Sequence, residues 1–248
     1  MGGSHRDTYP VYSHAPIAEA VIDLRAEFPG GVALPTLARA QRAEQGKYPK
    51  RMDRLESQAL FGPESRASDG SKITGYVCSS RDGREIFQTR VDGFAFSRLA
   101  PYERWDTFRD EARRLWRVYR AITKPKRVTR VAVRYINRLD IPLPVRSFGD
   151  YLRTLPEVSP DLPQGVSSYF MQIQIPQEDL GALLMLTEAI VPPKKPDVIS
   201  IVLDIDLFRE RDIPEDEQRM WDCFEQLRDR KNAIFEACIA DAVRELIR

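Results

Sequence analysis

Histidine and cysteine are scarce in this chain of 248 residues, and net charge is almost absent: two histidines, three cysteines, and 38 basic against 37 acidic residues. Each scarcity excludes something. Balanced charge leaves no global field to recruit a polyanion or a membrane surface, so any electrostatic function has to come from local segregation. Cys78, Cys223 and Cys238 lie far apart with no C-x-x-C spacing, which argues against a disulfide framework or a zinc site and for a reducing compartment. His5 falls in the opening "MGGSHRDTYPVYSHAP". His14, beside Ala15-Pro16, reads as a surface residue at the mouth of a strand before it reads as an acid–base group. Walker, H-E-x-x-H and G-x-S-x-G motifs are all missing, and no Ser-His-Asp set is visible. The N-terminus has no apolar signal core, and no run approaches the roughly 20 apolar residues that a membrane span needs. The expectation is a cytoplasmic protein without a cofactor and without an assignable catalytic residue, which leans away from an enzyme.

What is present is enough apolar material for a core, 42% of the residues. "EAVIDLRAEF" alternates Val21, Asp23, Arg25 and Glu27 against Ile22, Leu24 and Phe28, the period of a strand with one apolar face. A helix is expected over about Leu34 to Glu44, then a polar link over about Ser57 to Ser71. A three-strand meander follows, whose Asp82-Gly83 and Asp92-Gly93 pairs supply hairpin turns. Trp105, Phe108, Ala112, Leu115, Tyr119 and Ile122 then recur at helical spacing. The order repeats. A strand over "RVAVRYINRLDIPLP" leads to a short helix around Phe148 to Leu155, three strands in "SSYFMQIQIP", "LGALLMLTEAIV" and "DVISIVLDIDLF", and a long helix from about Pro214 to the end. Both closing helices open on similar words, Trp105-Asp106-Thr107-Phe108 and Trp221-Asp222-Cys223-Phe224, and carry Tyr119 and Phe235 at the same distance from their tryptophans.

These observations predict an α+β fold, an internally duplicated β-α-β-β-β-α unit with an antiparallel sheet and helices on one face. Residues 1–8 form a flexible tail, 9–125 the first repeat and 126–248 the second, within one globular unit. The blocks "YSHAPIAEAVIDLR", "FQTRVDGFAFSRLAPYERWDTFRDEARRLWRVY", "VTRVAVRYINRLDIPLP", "VLDID" and "LRDRKNAIFEACIADAVREL" resemble the successive blocks of a sporadically distributed, functionally uncharacterised bacterial family of proteins of about this length. The resemblance implies a stand-alone, patchily inherited cytoplasmic protein, a distribution seen for mobile defence or toxin–antitoxin genes. It carries over no catalytic residue.

Two clusters could hold a ligand. Arg130, Arg134 and Arg138 fall on one face of their strand with Ala132 and Ile136, while Val131, Val133, Tyr135 and Leu139 fall on the other. With Arg127 and Lys126 they could bind phosphate or nucleic acid through guanidinium forks. The competing and favoured expectation pairs them with carboxylates of neighbouring strands, Asp23, Glu27, Asp204 and Asp206. Asp204 and Asp206 share a strand face and could instead hold a divalent metal in a hydrolase. The leading function is a non-catalytic adaptor or regulator with a protein partner or as a homodimer. Nucleic-acid or phosphate binding, and metal-dependent hydrolysis, stand as the alternatives.

Overall fold

The computed structural model describes residues 9–56 and 72–248. The expected tail over 1–8 and the whole of the polar link over 57–71 lie outside the described residues. In chain order the elements are β1 (Ile17–Glu27), α1 (Leu34–Ala43), β2 (Lys50–Glu56), β3 (Lys72–Ser79), β4 (Glu85–Arg90), β5 (Gly93–Leu99), α2 (Trp105–Thr123), β6 (Arg127–Pro142), β7 (Phe170–Gln177), β8 (Ala182–Val191), β9 (Val198–Arg209), α3 (Glu217–Cys238) and α4 (Asp241–Ile247). The strands form one antiparallel α+β sheet in the order β2-β3-β4-β5-β1-β6-β9-β8-β7. In both halves of the chain the first strand lies beside the last, β1 beside β5 and β6 beside β9, and the intervening strands meander. No helix among the described residues is long and apolar enough to cross a membrane.

By contact, the chain divides into a smaller unit, Val21–Leu99 with Glu103–Val131, and a larger one, residues up to Ala20, Ala100–Tyr102 and Ala132–Arg248. In the smaller unit, Ile22, Leu24, Phe87, Phe94 and Phe96 are buried on one side of the sheet. There Phe96 stacks on Phe108 of α2, and Phe94 meets Trp116 and Tyr119 at 6.1 and 5.8 Å. The apolar stripe of α2 thus does what its spacing implies. The two Asp-Gly pairs act differently. Gly83 turns the β3–β4 hairpin with a positive φ of 75°. Gly93 has φ 153°, and a Cβ there would stand 2.1 Å from the Leu24 carbonyl oxygen, so glycine is needed for the close approach of β1.

In the larger unit, the register of β7, β8 and β9 sorts side chains into two faces. Met171, Glu188 and Leu203 stand in one row, Ile173, Leu186 and Ile205 in the next, and Ile175, Leu184 and Leu207 in a third. Leu184, Leu186, Leu203, Ile205 and Leu207 of these rows are buried, as are Trp221, Phe224 and Leu227 of α3. Opposite residues form the other face, in rows of Phe170, Ala189 and Val202; Gln172, Thr187 and Asp204; Gln174, Met185 and Asp206; Pro176, Leu183 and Phe208.

Three expectations need correction. The short helix over Phe148 to Leu155 is only a single 3-10 turn at Phe148–Asp150. Leu152 is buried by a β-bridge to Ile239 instead of by a helical face. The closing helix starts at Glu217, beyond Pro214, because the Asp216 carboxylate accepts the Arg219 N–H at 2.9 Å and caps it. It also stops at Cys238. The Cys238 carbonyl accepts from Arg153 N–H, and Ala240 N–H donates to the Tyr151 carbonyl, so the chain is extended at Ile239 before α4 begins. Its twenty-two residues span about 33 Å, shorter than a single helix from Pro214 to the end of the chain would be.

Candidate functional site

The arginines of β6 stand where the alternation puts them, and each already holds a carboxylate. In the smaller unit, Arg130 Nη1 donates to Asp23 at 3.0 Å, and Arg90 Nη1 lies 2.6 Å from the other oxygen of the same carboxylate. Arg90 is 6% exposed, so this pair is drawn out of water. Burial pulls the Arg90 guanidinium toward losing its proton, but Asp23 and then Asp92 outweigh it and raise its pKa. Its Nε and Nη2 make no hydrogen bond with the described residues. Farther along, Arg127 Nε donates to Glu27 at 2.6 Å and Lys126 Nζ at 3.4 Å, two cations on one carboxylate. Arg127 and then Lys126 hold the Glu27 carboxyl below its usual value.

In the larger unit, Arg134 grips Asp204 with two nitrogens, Nη2 at 2.5 Å and Nε at 2.9 Å, a bidentate fork across neighbouring strands. Asp204 raises the Arg134 pKa against the opposing effect of burial. Arg138 Nε reaches Asp140 at 3.1 Å, and its Nη2 reaches Ser200 Oγ at 2.8 Å and the Pro192 carbonyl at 2.7 Å. Ser200 in turn donates to Asp140 at 2.5 Å, closing the triangle. A guanidinium so engaged has its charge balanced in place and keeps only its Nη1 side for a further anion.

The aspartate pair fares likewise. Asp204 and Asp206 do share a face, but both oxygens of Asp204 accept from Arg134. Among the described residues no group of three or more His, Cys, Asp or Glu is placed to hold a metal ion. His14 is exposed, and its backbone N–H donates to the Ile247 carbonyl at 3.0 Å. The three cysteines are unpaired and buried, with burial pushing Cys78 up to about 12 and Cys238 up to about 11.

Neither a family model nor a curated protein matches the chain.

Two polar clusters have no signal in the sequence. In the smaller unit, the buried Tyr48 hydroxyl sits 2.8 Å from Glu85 and 2.7 Å from Glu111, and Lys47 Nζ bridges the same two carboxylates at 2.8 and 3.1 Å. Arg114 joins Glu111 to Glu44, and Arg98 closes on Glu85. Three carboxylates and three cations thus neutralise one another between α1, β4 and α2. In the larger unit, Glu188 lies on the core side of β8, with no surface exposed, and one of its oxygens has no hydrogen-bond partner among the described residues. Its other oxygen is 3.5 Å from the Tyr169 hydroxyl. Burial pushes the Glu188 carboxyl up to about 7. The first cluster joins elements far apart in the chain, and the second joins Tyr169 to Glu188 across the pairing of β7 with β8. No spacing rule reaches them, whereas Asp140, two positions after Arg138 on the same strand face, could have been found.

Proposed function

We propose that this protein is a non-catalytic binding protein whose ligand is another protein, recognised by the half-exposed face of β6 to β9 in the larger unit. One observation carries the reading: the strand-face arginines of that unit are neutralised in place by Asp204 and by Asp140. The face then offers rows of apolar side chains, Phe170 with Ala189 and Val202, and Pro176 with Leu183 and Phe208, with the Arg134–Asp204 pair on a row between them. Such a mosaic suits a protein surface, where charge fixes register and apolar contact supplies affinity. The resemblance to a patchily distributed bacterial family supports a cytoplasmic adaptor or regulator in a defence or toxin–antitoxin setting. The shared ordering of strands in the two halves supports reading them as duplicated copies.

A second reading rests on Lys126 and Arg127, whose side chains are 62% and 60% exposed and share the single carboxylate Glu27. That end of β6 has spare positive charge for a phosphate or nucleic acid. The test is capture of partners by the tagged chain from a bacterial lysate, with and without nuclease, beside binding of mixed-sequence DNA and RNA at two salt concentrations. A stoichiometric protein that survives nuclease and is lost with Met185→Arg supports the first reading. Nucleic acid that is held at low salt, released steeply as salt rises, and lost with Arg127→Glu replaces it with the second.

A further inference from the structure

The two strands that end the sheet are defended very differently. β2, "KRMDRLE", is mostly charged, the usual protection of an end strand against pairing with another chain. β7, "FMQIQIPQ", has no charged residue at all. Its ladder to β8 shows what its outer edge offers. Ile190 N–H donates to the Tyr169 carbonyl, and these two residues fall in the register that pairs Met171 with Glu188 and Ile173 with Leu186. Alternation of hydrogen-bonded and non-bonded pairs then directs the N–H and C=O groups of Phe170, Gln172 and Gln174 away from β8. Pro176 falls on the same outward set, so its missing N–H takes nothing from the ladder. Among the described residues no backbone hydrogen bond to this outer set is found. Phe170 is 71% exposed and Ile175 39% exposed, whereas Gln172 is held in place by a 3.0 Å bond from its side-chain nitrogen to Thr187.

We infer that β7 is a homodimerisation edge, on which a second copy of the chain lays its own β7 antiparallel across a two-fold axis at Gln172. This inference is independent of the partner proposed for the sheet face. A two-fold axis at Gln172 would set a charge at that position directly against its own copy, and one at Met171 or Ile173 diagonally from it, which is destabilising. A strand with no charge escapes that penalty, and this absence favours a second copy over a partner of complementary charge. Centred on Gln172, Phe170 exchanges backbone bonds with Gln174 of the second copy, Gln172 with Gln172, and Gln174 with Phe170. Met171 comes beside Ile173 of the second copy on the core side. The exposed Phe170 is covered.

The experiment is sedimentation equilibrium of the full chain up to about 100 µM, comparing wild type with Gln172→Lys and Phe170→Lys. Both variants lie at exposed positions, and circular dichroism checks that each is folded. A wild-type dimer whose dissociation constant rises at least about tenfold in Gln172→Lys supports the inference. Amide exchange supplies a second readout, with Phe170, Gln172 and Gln174 gaining protection as concentration rises. A wild-type chain that is monomeric throughout, or a dimer that Gln172→Lys leaves intact, overturns it.

Discussion

Replacing Glu188 by glutamine removes a titrating group from the core of the larger unit while keeping its shape. In the folded chain burial pushes this carboxyl up to about 7, from an ordinary value of 4.5. Its folded value is the raised one. The native state is therefore favoured in full below about 4.5, and that advantage is lost as pH rises to about 7, beyond which the loss is complete. The span amounts to roughly 3 kcal/mol, at about 1.4 kcal/mol for each tenfold change in proton affinity. Glu188→Gln cannot ionise and escapes the loss. Its stability relative to wild type should rise by roughly 3 kcal/mol between pH 4.5 and pH 8, equivalent to about 6–12 °C in Tm for a chain of this size. Urea denaturation of both proteins at each pH measures it. Acid weakens other carboxylate pairs, but equally in both proteins, so those effects cancel in the difference. Tyr169→Phe, which removes the hydroxyl 3.5 Å away that favours the ionised form, should enlarge the wild-type pH dependence. Curves for wild type and Glu188→Gln that stay parallel across the range would refute the reasoning.

Asp23→Asn should lower stability by about 3–5 kcal/mol in urea unfolding, because it strips the carboxylate from the buried Arg90 and from Arg130 together. The control Asp106→Asn, at the exposed pair with Arg104, should change it by less than about 0.5 kcal/mol. Gly93→Ala should cost at least about 2 kcal/mol, since its methyl group meets the Leu24 carbonyl and β1 has to shift; an unchanged Tm would show that the strand gives way freely. Glu111 is held down at about 2, burial being outweighed by Arg114, Tyr48 and Lys47. Its folded value is the depressed one, so its contribution is present above about 4.5 and lost as pH falls toward 2. After screening by solvent this is about 2 kcal/mol. Glu111→Gln should flatten the acid side of the stability profile by that amount, read by thermal melts from pH 2 to 6.

Much of the frame was legible in the sequence because it depends on local pattern. Alternation in β1 and β6 put Ile22 and Leu24, and Val131 and Tyr135, on apolar faces, and all four are buried. The helical stripe of α2 and the turn at Asp82-Gly83 are equally local, set by side-chain period and by the φ that glycine permits. β2 escaped because "KRMDRLE" alternates no apolar face, so its only evidence is its partner β3. The end of α3 escaped too, because nothing in the local sequence stops the helix; backbone bonds from Tyr151 and Arg153, far back in the chain, do so. The arginines divide the two kinds of information most clearly. Periodicity placed Arg130, Arg134 and Arg138 on one face, but it could not choose among Asp23, Glu27, Asp204 and Asp206 as their partners. Strand order and register make that choice, and Asp140, Ser200 and Arg90 enter by the same route. Faces follow from the geometry of a single strand. Partners, and with them the charge of Glu188, follow from what the fold brings beside each strand and from how much water it leaves there.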